Sequence, residues 1–216
     1  NIIANGATVY VTGGSVSPTD TLINHGVIWV NSSFNSTSCN TQPSHFINET
    51  DGVVNLNAGN STSWHNTRIT NHGQMNKTTG NVISFASDCN TAGSFANSST
   101  GTLSIPSGST VSFSYSPTLG GTISLDGLMN IHAPATLVSG LSLTGTGTLA
   151  NYSSINVPFD YTFTIPTINN FSSIGGAGKK TYTSGVTINS TGVLGGGDNI
   201  IANGATVYVT GGSVSP

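Results

Sequence analysis

The chain has 216 residues and a formal net charge of −3, and only 5% of its residues are charged, where roughly 25% is usual for soluble domains. Its four cations, Arg68, Lys77, Lys179 and Lys180, make no basic stripe for phosphates, which sets nucleic acid aside as a partner. No apolar run approaches the roughly 20 residues of a spanning helix, so no membrane span is expected.

The chain opens with NIIANGATVYVTGGSVSP, and Asn199 to Pro216 repeat Asn1 to Pro18 letter for letter. Residues 1–198 are therefore read as one full unit of a tandem array, with 199–216 as the start of the next identical unit. A fixed long period is the mark of a repeat or fibre architecture. The opening phrase is an apolar pair, a Gly turn and an alternating strand, Thr8-Val9-Tyr10-Val11. Related phrases begin near residues 51 and 101, giving a weaker period of about 50. In this alignment Gly6, Gly59 and Gly108 correspond, as do Val11, Trp64 and Phe113. A second phrase, LINHGVIWV at 22–30, recurs as RITNHGQM at 68–75 and more loosely as TLANYSSINV at 148–157.

Period-2 alternation, as in Thr110-Val111-Ser112-Phe113 and Thr122-Ile123-Ser124-Leu125, predicts strands with one buried and one wet face. Gly and Asn punctuate them where tight corners are needed. No segment carries a sustained helical period, so the chain reads as all-β. A unit that runs directly into its own copy points to a right-handed parallel β-helix, a β-solenoid. Two turns of about 25 residues per quasi-repeat give about eight turns per 198-residue period, or roughly 38 Å of axis at the ordinary strand spacing. Val9, Val11, Ile28, Val30, Val111, Phe113, Ile188, Val207 and Val209 are expected on the inward face. Such turns bury apolar surface only against neighbouring turns.

The segments TLINHGVIWV, GTLSIPSGSTVSFSY and GLSLTGTGTLANYSSINV resemble the right-handed parallel β-helix segments of large secreted adhesins of the filamentous-haemagglutinin and autotransporter type. The resemblance covers nearly the whole chain and implies an extracellular or cell-surface, elongated, non-catalytic stalk. The chain departs from it in its cysteines and in apparent insertions around 38–51 and 158–183. The chain carries no initiating Met and no signal peptide, which fits a mature or internal segment.

Nine sequons, at Asn31, Asn35, Asn48, Asn60, Asn76, Asn97, Asn151, Asn170 and Asn189, are candidate N-glycosylation sites. Their number is close to what chance gives in so Asn-, Ser- and Thr-rich a chain. Low charge is what favours sugar, because an extended fibre with few ionised groups needs another means of staying soluble. Cys39 and Cys89, each followed by Asn at matched places of two quasi-repeats, are the candidate disulfide pair. Loops would have to close the gap, since two turns separate the backbones by about 10 Å and a disulfide spans no more than about 7 Å. His25 and His72 lie in equivalent Asn-His-Gly turns two turns apart, too far to share a metal, and the five histidines are read as turn residues. No cofactor other than covalent N-linked glycan is expected. The isolated acids Asp88, Asp126 and Asp160 lack a recurring basic partner, and Gly175 to Lys179 (GGAGK) reads as a flexible corner rather than a phosphate loop.

The primary expectation is a structural unit of a filament whose partners are identical units head to tail. The alternative is an adhesin stalk that binds surface carbohydrate through loop aromatics, with Phe34, Phe46, Phe159 and Tyr161 as candidates. A polysaccharide-degrading enzyme built on Asp126 and Asp160 is the third reading.

Overall fold

The structure, a computed structural model, describes residues 1–12, 21–31, 34–35, 44–57, 62–65, 67–78, 80–86 and 93–215. Among them every paired strand is parallel to its neighbours and no helix occurs, which is the expected all-β parallel β-solenoid. The chain visits three faces in each turn. The first face stacks eleven strands, from Ile2–Ile3 through Thr21–Asn24 and Ser44–Asn48 to Ser213–Val214. The second runs from Thr8–Val11 to Ser142–Thr144 as a seven-stranded sheet. It then continues at the same place in the turn as a three-stranded sheet of Tyr161–Phe163, Lys180–Tyr182 and Asn199–Ile201. The third face stacks nine strands, from Phe34–Asn35 to Thr206–Val209.

Alternation in sequence becomes alternation in burial because successive side chains of a strand point to opposite sides of the sheet. On the second face the parallel register places Ile28 under Val54, then Met75, Leu103, Ile123 and Leu143. All six are buried. On the third face Trp64, Phe85, Phe113 and Ile131 form the matching row. Phe85 and Phe113 stack at 5.2 Å, and Trp64 meets Phe85 edge-on at 6.0 Å. Each fully buried side chain of this size contributes about 1.5–3 kcal/mol relative to exposure. The row is useful only if each turn lands on the one before it.

Turn length varies more than the sequence period suggests. Asn97 lies over Asn71, 26 positions on, whereas Asn130 lies over Ser112, only 18 positions on. The later turns stay short, with Asn189 over Asn169 and Ser190 over Asn170, each 20 positions on. The 198-residue period therefore holds a little over nine turns, not about eight. Short turns also account for residues 158–183, which form regular rungs instead of an insertion. Residues 44–48 likewise form a regular first-face strand.

Further expectations change. Phe46 is fully buried on the first face and Tyr161 is buried on the second. Phe46 and Tyr161 are therefore core aromatics and not loop contacts, while Phe159, in the bend before Tyr161–Phe163, is half-buried against the core. Val209 is 44% exposed, because its strand is the last of its sheet. Gly6 turns the chain from the first face to the second, while Gly108 turns it from the second to the third, so the two phrases match in local shape but not in position.

Burial of Tyr115, Tyr161 and Tyr182 raises the pKa of each, to about 12 for Tyr161. Phenols raised in the folded state contribute stability that is complete below the unfolded value of 10.0 and is lost as pH climbs through the folded values. Above pH 10 stability should fall by about 1.4 kcal/mol per pH unit for each such tyrosine. Denaturant titration from pH 8 to 11 checks this, and Tyr182→Phe should flatten the fall above pH 10.

Candidate functional site

Among the described residues the most regular polar feature is a pair of asparagine ladders. Asn24, Asn48, Asn71 and Asn97 end successive first-face strands, in register and essentially inaccessible to solvent. Each Nδ2 donates to the Oδ1 of the asparagine one turn on, at 2.7, 2.8 and 2.7 Å. The same Nδ2 groups also reach main-chain carbonyls of the next turn, as Asn71 does to Thr102 at 2.9 Å and Asn97 to Gly120 at 2.7 Å. The ladder ends there, because Leu119 stands over Asn97. A second ladder ends the third-face strands, with Asn151 donating to Asn170 at 2.8 Å and Asn170 to the Ser190 hydroxyl at 3.2 Å. A buried amide has two donors and an acceptor to satisfy, and stacking identical amides satisfies them turn by turn.

The glycines that follow belong to the same corner. A Cβ on Gly73 would collide with the carbonyls of Glu49 and Gly52. His25 and His72, two turns apart as expected, each bond to the next turn: His25 Nδ1 lies 2.9 Å from Asp51 Oδ1, and His72 Nδ1 lies 2.9 Å from the Ser98 hydroxyl.

This geometry divides the sequons. Asn48, Asn97, Asn151 and Asn170 are buried with their Nδ2 hydrogens committed to the ladders, so a glycan on any of them is incompatible with this packing. Asn31 and Asn189 are exposed, and Asn76 is half-buried. Phe34 and Asn35 lie in a third-face strand, paired with Trp64 and His65. Asn60 and both Cys39 and Cys89 fall outside the described residues, as does Asp88.

The remaining acids of interest act as braces between turns. Asp126 Oδ1 accepts from the main-chain N–H and the hydroxyl of Thr146, at 2.9 and 3.1 Å. Asp160 Oδ1 accepts from the Lys179 N–H at 2.9 Å, which with the nearby Lys179 charge holds its carboxyl below the usual range. Asp126 stands between the second and third faces and Asp160 ahead of the second, so the coil does not pair them. The Gly175 to Lys179 corner is pinned: buried Lys180 gathers the carbonyls of Gly176, Gly178 and Gly196 with its ammonium group. Desolvation lowers the Lys180 pKa, and Asp198 partly offsets it.

One outward feature lies beyond the sequence-based expectations. His132, Tyr152 and Phe171 directly follow in-register third-face positions, and their rings stack at 4.7 and 4.7 Å with interplanar angles of 9° and 15°. Tyr152 and Phe171 are 48% and 46% exposed, so the stack forms an aromatic ridge along one corner. Its signal in the sequence is Asn-aromatic-Ser at 151–153 and again at 170–172, two sequons whose asparagine goes inward and whose aromatic goes out.

Asn71→Ala would take away the amide partner of the Asn48 Nδ2, which keeps only main-chain carbonyls, and the Asn71 donor to Asn97 Oδ1. A loss of about 2–4 kcal/mol is expected, against less than about 0.5 kcal/mol for the exposed Asn31→Ala, measured by denaturant unfolding of the two variants.

No family model matches the chain, and comparison with curated proteins and with solved structures finds no match either.

Proposed function

We propose that the chain is a structural unit of an extracellular filament, with the 198-residue period continuing head to tail and N-linked glycan on its outer surface. One observation carries the reading. Residues 199–216 repeat residues 1–18 letter for letter, and both copies fold as strand, glycine turn and strand within one parallel coil, Ile2–Ile3 and Thr8–Val11 in the first and Asn199–Ile201 and Thr206–Val209 in the second. The second copy stacks in register on the turn before it, Ile200 on Thr181 and Val207 on Ile188. Turns of this kind bury apolar surface only against neighbouring turns, so a following unit continues the backbone ladder and the inner row. Outward Asn, Ser and Thr, with sugar at Asn31 and Asn189, supply solubility where charge does not. The mechanism is mechanical, since stiffness comes from hydrogen bonds along the axis and an unbroken inner row.

Electron microscopy of a polypeptide carrying consecutive units, secreted from a glycosylating cell, tests this. A thin unbranched rod with extra density beside Asn31 and Asn189 is the expected image. Separate globular particles would contradict the filament, and a bare rod would remove the sugar.

The adhesin-stalk reading is supported by a surface other than Phe46, Phe159 and Tyr161. The ridge of His132, Tyr152 and Phe171 offers exposed ring edges and a planar stack to a carbohydrate or other surface ligand. Glycan-array binding that disappears in Tyr152→Ala/Phe171→Ala would favour it, and binding unchanged by those substitutions would remove the ridge from consideration.

A further inference from the structure

The two copies of the repeated phrase stand on different faces. Ile2–Ile3 lies on the first face, with Ile2 under Ile23. Its copy in Asn199–Ile201 lies on the second face, with Ile200 over Thr181. Thr8–Val11 lies on the second face, with Val9 under Ile28, whereas Thr206–Val209 lies on the third, with Val207 over Ile188. Both strands of the phrase have moved by one face in the same direction.

Local conformation is unchanged by the move. Gly6 and Gly204 hold the connecting turn at φ of 79° and 84°. Val9 and Val207 both pack against the core, while Tyr10 and Tyr208 both point outward at 65% and 56% exposure. The phrase thus specifies strand, turn and strand with an inside and an outside. It does not specify which side of the coil it occupies. That is set by the chain consumed since the last copy, whose turns of unequal length do not divide the period evenly.

We infer that the unit spans nine turns plus one face, so that in a tandem array each unit is rotated by about one third of a turn, near 120°, from the one before it. This rests on the tandem-filament reading. At the ordinary strand spacing the unit advances about 45 Å, and three units, about 134 Å, restore the original orientation. The register at the start of the unit shows how the junction closes. Ile2 and Ile3 lie under Ile23 and Asn24, so Ile200 and Ile201 receive Ile23 and Asn24 of the following unit on the second face. Val207, by the pairing of Val9 with Ile28, receives Ile28 of the following unit on the third. The apolar end is covered, and the corner features change sides from unit to unit. The ridge of His132, Tyr152 and Phe171, which follows the third face here, follows the first face in the next unit and the second in the one after. Any ligand of that ridge meets sites winding around the rod, not lined along one side of it.

The test is helical reconstruction, by electron cryomicroscopy, of a polypeptide carrying six consecutive units. The inference expects one continuous rod with a unit rise of about 45 Å and a rotation near 120°. A continuous rod whose units superpose by translation alone, with rotation near zero, would overturn the phase shift while leaving the filament intact. A string of separate particles would overturn both.

Discussion

Each turn of this coil must land in register on the turn before it, and the asparagines at the strand ends show most plainly what that requires. A buried carboxamide left alone costs about 1–3 kcal/mol for each unpaired group. Here Asn48 and Asn71 are each satisfied by the same group one turn on, together with a main-chain carbonyl of that turn. A register slip of one residue would turn the apolar row outward and orphan the amides. The corner glycines belong to the same constraint, since the chain passes so close to the turn below that a side chain at Gly73 would collide with two carbonyls. Apolar rows supply most of the stabilisation, and the polar ladders fix which turn lies on which.

The constraint also explains how so uncharged a chain is arranged. Several of its few ionised groups hold turns together. Asp126 and Asp160 brace the turn that follows, and Lys180 gathers three carbonyls at a glycine corner. Much of what faces solvent is amide and hydroxyl, with a stack of rings along one corner. Repetition along an axis turns any residue type into a row, so that aromatic side chains one turn apart in sequence become a continuous surface.

Much of the fold was legible in the sequence because alternation in strands and glycine at corners are local signals. The pairs Val111/Phe113 and Ile123/Leu125 and the turns at His25 and His72 fall where alternation and spacing put them. Turn length was less legible. The quasi-repeat matched phrases of similar local shape, yet Val11 sits on the second face and Phe113 on the third, and the number of turns came out too low. The sequons are ambiguous for a related reason. Asn-x-Ser/Thr marks both a sugar acceptor and an asparagine ending a strand before a polar corner, and burial separates the two at Asn48, Asn97, Asn151 and Asn170. Phe46 and Tyr161 were misplaced on loops similarly, since isolation among polar neighbours at Phe46 reflects strand alternation and not exposure.

The ladders offer the most direct measurement of the stacked register. Hydrogen exchange of side-chain amides, followed by NMR on labelled protein, should find the Nδ2 protons of Asn48, Asn71, Asn97, Asn151 and Asn170 strongly protected, with through-space contacts linking Asn48 to Asn71 and Asn71 to Asn97. The side-chain amide of exposed Asn31 should exchange at once. Fast exchange at all these asparagines, or the absence of contacts between residues one turn apart, would contradict the register on which the structure depends.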